Sequence, residues 1–245
     1  MSNVITVEPA DYMTVAMARI IQDGERVFHG VASPIPAVAI QLAKKLHAKN
    51  DVYLSIAGYV DAVPSQFSHT STAGAHLGEG AVSEFLLSDI FDLSARGELD
   101  VAFLGGAQID QYGRINLSAI GSFANPKVRL PGGAGSAALL PTVKRAILWK
   151  TTHDKRSFVD KLDVITAAGN TAYVITPLAI FKRGNQGKLQ LYSIFPYSSF
   201  DEVVEHTGFP IEKHDHFHKF HPITEQEFTI LQEIDKNNTR FSEFR

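Results

Sequence analysis

Residues 101–116 read VAFLGGAQIDQYGRIN, and residues 125–136 read NPKVRLPGGAGS. The first stretch continues the nearly unbroken apolar run 99–104, which is typical of a strand buried on both faces of a parallel sheet. Gly105 and Gly106 end this strand. We therefore expect the next residues to lie at its carboxyl edge, where open α/β sheets bind ligands. The second stretch places a glycine run between a strand and a short apolar helix.

Outward from these two stretches, helical and strand patterns alternate along the chain. The predicted helices cover residues 12–20, 36–46, 83–96, a short segment after 136, 199–207 and 224–234. The predicted strands cover residues 26–29, 51–55, 99–104, 115–120, 144–150, 162–166, 172–176 and 189–195. This order predicts an α/β protein with an open, largely parallel or mixed sheet flanked by helices. No linker or internal repeat divides the chain, so we expect a single domain over residues 1–245.

Composition excludes several classes of protein. The 245 residues carry 23 Lys and Arg against 26 Asp and Glu, a net charge of −3, so the basic surface of a nucleic-acid binder is absent. Because the chain has no cysteine, disulfides, thiolate nucleophiles and Cys-ligated metal sites are excluded. No apolar run reaches about 18 residues, and the first residues lack a signal-peptide pattern. We expect a cytoplasmic protein without a membrane segment.

The glycine run holds the first candidate site residues, Gly132, Gly133, Ala134 and Gly135. Backbone N–H groups at such a strand-to-helix turn can bind an anion or stabilise a developing oxyanion. The run does not match a P-loop, because no Lys-Ser or Lys-Thr pair follows it. The alternative is a tight turn whose glycines serve packing only.

Gln108, just beyond the buried strand, is a candidate for orienting a carbonyl or carboxylate group. The alternative for Gln108 and Asp110 is ordinary turn chemistry, with Asp110 capping a loop. Ser33 lacks the G-x-S-x-G pattern of a hydrolase nucleophile, so a Ser-His-Asp triad is unsupported.

A histidine tract lies near the carboxyl terminus, at positions 214, 216, 218 and 221. Alternate histidines on a strand share one face and can bind zinc. The stretch looks like a loop, however, and no acidic residues accompany it in a ligand pattern. We expect a solvated surface or a subunit contact rather than a metal site.

Taken in order, these blocks resemble the β-type subunit of family I CoA-transferases, the group that contains glutaconate and 3-oxoacid CoA-transferases. The resemblance is carried by residues 23–30 (DGERVFHG), by the two stretches quoted above, and by residues 155–159 (KRSFV) and 162–166 (LDVIT). It extends over roughly residues 20 to 240. It implies the CoA-transferase (NagB/RpiA-like) fold and an α-type partner subunit, in an αβ or α2β2 assembly.

In this family the acyl-CoA site lies between the two subunits, and coenzyme A is part of the substrate rather than a bound cofactor. The resemblance implies that N–H groups of the loop around Gly133 form the oxyanion hole. It assigns acyl-CoA contacts to the rest of that loop and to Gly106 and Gly58. A glutamate in the turn after the second helix–strand unit is the family's nucleophile.

This chain departs from the family at that nucleophile. The segment reads SIAGY over residues 55–59, so Gly58 aligns and Ile56 occupies the position of the glutamate. An isoleucine cannot form the acyl anhydride of the transfer mechanism. The departure is similar to side branches of the family that hydrolyse a ring carbon–carbon bond or decarboxylate an acyl-CoA. CoA transfer, hydrolysis and decarboxylation all stay open.

Candidate acid–base residues follow the altered turn. They are Asp61, His69, His76, Glu79 and Glu84, each of which also has a structural explanation. The base can also come from the partner subunit. A different class of function is a catalytically silent β-type subunit that completes the acyl-CoA cleft and supports assembly.

Overall fold

A computed structural model of the chain describes residues 7–67 and 71–244. The fold starts with two helix–strand units. Helix α1 (Pro9–Ile20) leads into strand β1 (Arg26–His29), and helix α2 (Pro34–Leu46) leads into strand β2 (Val52–Leu54). Both units agree with the predicted order.

The remaining elements follow in the second and larger part of the chain. The strands are β3 (Tyr59–Val60), β4 (Ser83–Glu84), β5 (Val101–Gly105), β6 (Gln108–Ile109), β7 (Ile115–Asn116), β8 (Ala119–Gly121), β9 (Pro126–Arg129), β10 (Arg145–Trp149), β11 (Thr171–Ile175), β12 (Ala179–Arg183), β13 (Leu189–Ile194) and β14 (Lys213–Lys219). The helices are α3 (Leu87–Ala95), α4 (Ser136–Thr142), α5 (Phe200–His206) and α6 (Glu225–Ile234), with 3-10 helices at Ala75–Gly78 and Thr239–Phe241.

One ten-stranded sheet forms the centre, in the order β14-β13-β12-β11-β10-β5-β1-β2-β3-β4. Strands β11, β10, β5, β1 and β2 run parallel to one another, and antiparallel strands extend both sides. The pairs β6–β7 and β8–β9 form two separate small hairpins. The predicted fold class is confirmed.

Two apolar layers cover the sheet. Val101 and Phe103 of β5 pack with α1 and α2 on one face, whereas Ala102 and Leu104 pack with α4 on the other. All four side chains are at most 4% exposed. This burial on both faces explains why β5 is encoded as a nearly continuous apolar run. No helix in residues 7–67 and 71–244 is long and apolar enough to cross a membrane.

The predicted helix 83–96 is wrong at its beginning. Residues Ser83 and Glu84 pair with β3 instead, and the Phe85 N–H donates to the Gly58 carbonyl at 2.9 Å. The helix starts only at Leu87, where the Asp89 carboxylate accepts the Leu86 N–H at 2.9 Å. Strand pairing therefore overrides the helical period in the first four residues.

Three further differences lie between residues 115 and 183. Residues 162–166 form no strand, although the Thr166 N–H donates a hydrogen bond to the Ile115 carbonyl at 2.9 Å. The predicted strand 115–120 is two strands in two hairpins, because the Asn116 side chain accepts the N–H groups of Ser118 and Ala119 and turns the chain. Strand β12, which follows β11 after only three residues, was not predicted from the sequence.

The histidine tract is a strand, and its interpretation as a loop is wrong. β14 lies at the edge of the sheet and pairs with β13 through an irregular register. Rings of His214 and His218 pack edge-on against Tyr192, with centroids at 5.5 and 4.9 Å. In the part of the chain that the structure describes, no group of three or more His, Asp or Glu residues can hold a metal ion.

A buried ion cluster ties the carboxyl terminus to α1. The Arg240 guanidinium bonds Asp11 at 2.6 Å and Asp235 at 2.9 Å, and all three side chains are at most 2% exposed. Removing the cation leaves two buried carboxylates without their partner.

We therefore expect Arg240→Met to lower the free energy of unfolding by about 3–5 kcal/mol. Arg156→Met is the matched control, because Arg156 pairs with Asp154 at 93% side-chain exposure. We expect a change of less than about 0.5 kcal/mol for this control. Urea denaturation of the two variants measures the difference, and equal losses would contradict the assignment.

Candidate active site

A cavity of about 490 Å³ opens at the carboxyl ends of β1 and β5. Five chain segments contribute to its walls: the end of β1 and the end of β5, each with the residues that follow, the turn after β2, the start of α3, and the glycine loop before α4. The lining residues include Phe28, Gly30, Val31, Ser33, Ile56, Leu87, Phe91, Gly105, Gly106, Leu117, and 131–136. The predicted location at this sheet edge is where the cavity lies.

The lining is almost entirely apolar. Among the described residues that line the cavity, none is Asp, Glu, His, Lys, Arg or Tyr. Its polar side chains are the hydroxyls of Ser33 and Ser136. Hence the described cavity residues of this chain supply neither a carboxylate nucleophile nor a titratable acid or base.

The glycine loop supplies backbone donors. The Gly132 N–H donates to the Leu117 carbonyl at 2.7 Å, and the Ser136 N–H donates to the Gly133 carbonyl at 2.8 Å. In the segment between Gly132 and Ser136, the N–H groups of Gly133, Ala134 and Gly135 make no hydrogen bond to any described residue. Ala134 has a φ of +42°, a left-handed conformation that costs energy for a residue with a Cβ. Three unpaired donors therefore belong to residues that line the cavity.

Thr166 holds this loop in place. Its hydroxyl oxygen accepts the Leu117 N–H at 2.8 Å, and the Leu117 carbonyl in turn binds Gly132. A Cβ on Gly133 would lie only 2.8 Å from Cγ2 of Thr166. Packing thus requires glycine at this position, and the same packing fixes the unpaired donors.

Ile56, which the sequence analysis expects at the family's nucleophile position, lies in a tight turn and lines the cavity. The turn closes with the Gly58 N–H donating to the Ser55 carbonyl at 3.0 Å. Gly58 has a φ of +89°, and a Cβ there would lie 2.7 Å from the Phe85 carbonyl oxygen. Gly58 shapes the turn and lies outside the cavity lining.

Gln108 also lies outside the lining. Its Nε2 donates to Asp163 at 3.0 Å, and its Oε1 accepts from Asn116 at 2.7 Å. Asp110 accepts the Tyr112 N–H and pairs with Arg114. These bonds favour turn chemistry for Asp110, whereas the Gln108 amide connects its hairpin to a distant part of the chain.

None of the described acid–base candidates lines the cavity. Asp61 accepts from Lys44 Nζ at 2.6 Å and from the Tyr53 N–H at 2.9 Å. Glu79 accepts the Ser65 N–H at 2.8 Å, and this hydrogen bonding lowers its pKa. Glu84 is exposed on β4, and His76 lies on the first 3-10 helix. His69 falls outside the described residues.

A buried pair beside the cavity, His29 and Tyr53, was not predicted from the sequence. The His29 Nδ1 donates to the Gly30 carbonyl at 3.0 Å, because a carbonyl can only accept. The Nε2 then accepts from the Tyr53 hydroxyl at 2.7 Å. Burial lowers the pKa of His29 to about 4 and raises the pKa of Tyr53. The ring is neutral at pH 7, and its only sequence signal is a histidine at the end of an apolar strand.

This pKa predicts a pH effect on stability. Between pH 6.5 and 4 the unfolded state binds a proton on His29 and the folded state does not, so stability falls as the pH drops through this window. The slope from one such group is at most about 1.4 kcal/mol per pH unit. Denaturation of wild type and His29→Gln across this range isolates the effect. The variant should show the shallower slope, and equal slopes would refute the neutral assignment.

Comparison with known proteins places the chain in a family. The model of the coenzyme A transferase family matches residues 10–206. The B-type subunit of the 3-oxoadipate CoA-transferase of Pseudomonas knackmussii is 30% identical, with 92% of each chain covered. The cholesterol ring-cleaving hydrolase IpdB subunit of Rhodococcus jostii is 25% identical, with 96% of this chain and 95% of that protein covered.

Solved structures agree. The crystal structure of the decarboxylase AibA/AibB superimposes with a TM-score of 0.90 at 28% identity, covering 97% of this chain and 99% of that one. The chain belongs to the coenzyme A transferase family. Within it, the chain is a B-type subunit of an enzyme, and its relatives include transferases, a hydrolase and a decarboxylase.

Proposed function

We propose that this chain is one half of a heteromeric enzyme that binds an acyl-CoA thioester in the cavity and cleaves a carbon–carbon bond beside the thioester, without a covalent glutamyl intermediate. One observation carries the proposal. Ile56 lines the cavity at the position where the family resemblance expects the nucleophile, and no carboxylate is present among the described lining residues. Covalent CoA transfer through this chain requires such a carboxylate.

The chemistry that fits this lining is enolate stabilisation. When a bond to the α-carbon breaks, its electron pair moves onto the thioester oxygen and forms an enolate. The departing fragment leaves as CO2, or as a carboxylic acid after addition of water, and a proton then adds to the α-carbon. The unpaired N–H groups of Gly133, Ala134 and Gly135 are suited to the enolate oxygen.

The proton donor is then assigned to the partner subunit. Within residues 7–67 and 71–244, no titratable side chain lines the cavity. Val31 and Leu87, at 61% and 48% exposure, add apolar surface at the cavity that a partner can cover. We propose an αβ or α2β2 assembly with an α-type subunit, which sedimentation analysis of the co-expressed pair would determine.

The products distinguish the reactions. The co-expressed heteromer is incubated in D2O with malonyl-CoA, which carries a carboxyl group on the α-carbon, and with 3-oxobutanoyl-CoA as probes, and the CoA thioesters are analysed by mass spectrometry. We expect a shortened acyl group that is still attached to CoA and carries deuterium at the α-carbon. Movement of CoA onto an added carboxylic acid, with the acyl chain intact, would contradict the proposal. Each of the two subunits on its own is the control.

The silent-subunit alternative is not favoured by the comparisons, because the relatives are subunits named for their activities. It predicts that turnover does not depend on the glycine loop of this chain.

A further inference from the structure

We propose that the Ser33 hydroxyl donates a hydrogen bond to the thioester oxygen, in addition to the N–H groups of the glycine loop. This inference rests on the proposed function and assigns a role to a residue that the family resemblance does not single out. Ser33 is 4% exposed and lines the cavity. Its hydroxyl oxygen lies 3.8 Å from the position of a Cβ on Gly30, which also lines the cavity.

Among the described residues, the Ser33 hydroxyl has no close hydrogen-bond partner. Its one hydrogen bond to a described residue, the Val31 carbonyl, is 3.4 Å long, well beyond the usual O–H···O range. Ser33 is the N-cap of α2, where a serine normally accepts an N–H from the second or third helical residue. The third residue is Pro36, which has no N–H, and the side chain makes no capping bond. Within residues 7–67 and 71–244, nothing therefore occupies the hydroxyl strongly enough to keep it from a ligand.

The backbone that carries Ser33 is held in an unusual conformation. Ala32 has a φ of +50°, so the turn is left-handed at a residue with a Cβ. The Thr72 hydroxyl donates to the Gly30 carbonyl at 2.9 Å and accepts the Ser33 N–H at 3.4 Å. His29 donates to the same carbonyl. Strain that neighbouring bonds maintain is typical of functional sites.

Ser33 supplies a side-chain hydrogen-bond donor in the cavity, which Gln108 does not. The Gln108 amide is bonded to Asn116 and Asp163 and lies outside the cavity lining. Apart from Ser33, the side-chain donor in the described lining is Ser136, beside the loop itself. Hydrogen-bond donors stabilise a developing oxyanion most strongly when they approach it from two directions and are held in place before the reaction. Ser33, on the segment after β1, gives the loop donors a counterpart from a different element.

The main test compares two N-cap serines in the assembled heteromer. We expect Ser33→Ala to lower kcat by about 100-fold or more, to raise KM by up to about tenfold, and to leave Tm unchanged within about 1 °C. Ser199→Ala is the matched control, because the Ser199 hydroxyl does cap its helix, accepting the Glu202 N–H at 3.2 Å. That control should lower Tm by a few degrees and leave kcat/KM within about twofold.

Two further variants separate contact from positioning. Ser33→Thr keeps the hydroxyl and should recover activity to within about tenfold of wild type. Thr72→Val removes the bonds to Gly30 and Ser33, so it should reduce kcat in the wild-type background but not in the Ser33→Ala background. Wild-type kcat in Ser33→Ala, or independent effects of the two substitutions, would overturn the proposal.

A binding measurement keeps this test independent of the reaction type. Acetyldethia-CoA, in which a methylene group replaces the thioester sulfur, presents the same carbonyl oxygen and cannot transfer CoA. By titration calorimetry, Ser33→Ala should raise its Kd about tenfold. An unchanged Kd together with unchanged kcat would exclude the contact. A failure of the proposed function appears instead in the product analysis, whichever value Ser33→Ala gives.

Discussion

The Gly133→Ala heteromer should lose turnover by a factor of about 100 or more, although the substitution adds only one methyl group. The added Cβ would lie 2.8 Å from Cγ2 of Thr166 and 3.3 Å from Cβ of Ala137, so the loop must move. A shift of the loop displaces the unpaired N–H groups on residues 133–135 from the thioester oxygen. Steady-state turnover of the assembled pair, with assembly checked by size exclusion, measures the loss.

Thr166→Ser provides a rescue for this variant. Serine removes the Cγ2 methyl group that meets the new Cβ and keeps the hydroxyl that accepts the Leu117 N–H. The double variant Gly133→Ala/Thr166→Ser should therefore regain a large part of the lost turnover. Full activity in Gly133→Ala alone would support the silent-subunit alternative and remove the loop from the mechanism.

Ile56→Glu should abolish the native reaction and should not create CoA transfer. Ile56 packs against the buried cluster that includes Leu54, in an apolar wall without a described cation. Burial there raises the pKa of a new carboxyl group, which stays protonated and is a poor nucleophile. An unpaired buried carboxylate costs several kcal/mol, so the neutral acid is the stable form.

Ile56→Gln is the isosteric comparison for this variant. Because glutamine resembles a protonated glutamate, the two variants should lose activity to the same extent. Ile56→Leu, which conserves volume, should retain most of the turnover. Transfer of CoA to an added acid by Ile56→Glu alone would show that the ancestral geometry persists and that our account of the cavity wall is wrong.

Much of the fold was predictable because local patterns and tertiary packing agree. The run 99–104 is buried on both faces in β5, and the capping residues Ser199 and Thr224 begin their helices as the sequence indicates. Prediction failed where tertiary pairing decided the local conformation. Ser83 and Glu84 are in a strand because they pair with β3, and the histidines of β14 are in a strand because β14 pairs with β13. Neither stretch has the alternating apolar residues of a half-buried strand.

Some residues of the candidate site could be predicted from the sequence, and others depend on tertiary contacts that the sequence does not show. Ile56 and the glycine loop stood out through motif order, and the structure brings them into one cavity. Gln108 has the residue type for a carbonyl contact, but its partner Asp163 is 55 residues away and could not be inferred. The proposed role of Ser33 rests on the missing N–H of Pro36 and on a hydrogen bond to Thr72. Neither feature produces a recognisable sequence motif. The catalytic roles of all these residues stay predictions.

CoA transfer by the wild-type heteromer tests directly whether this chain works without a glutamyl intermediate. An acyl-CoA and an isotopically labelled carboxylic acid are incubated with the enzyme, and borohydride is added to trap any glutamyl thioester on this chain. We expect no labelled acyl-CoA above the background reaction and no trapped residue on this chain, because Ile56 cannot form the anhydride. Robust transfer together with a trapped glutamate on this chain would contradict this expectation.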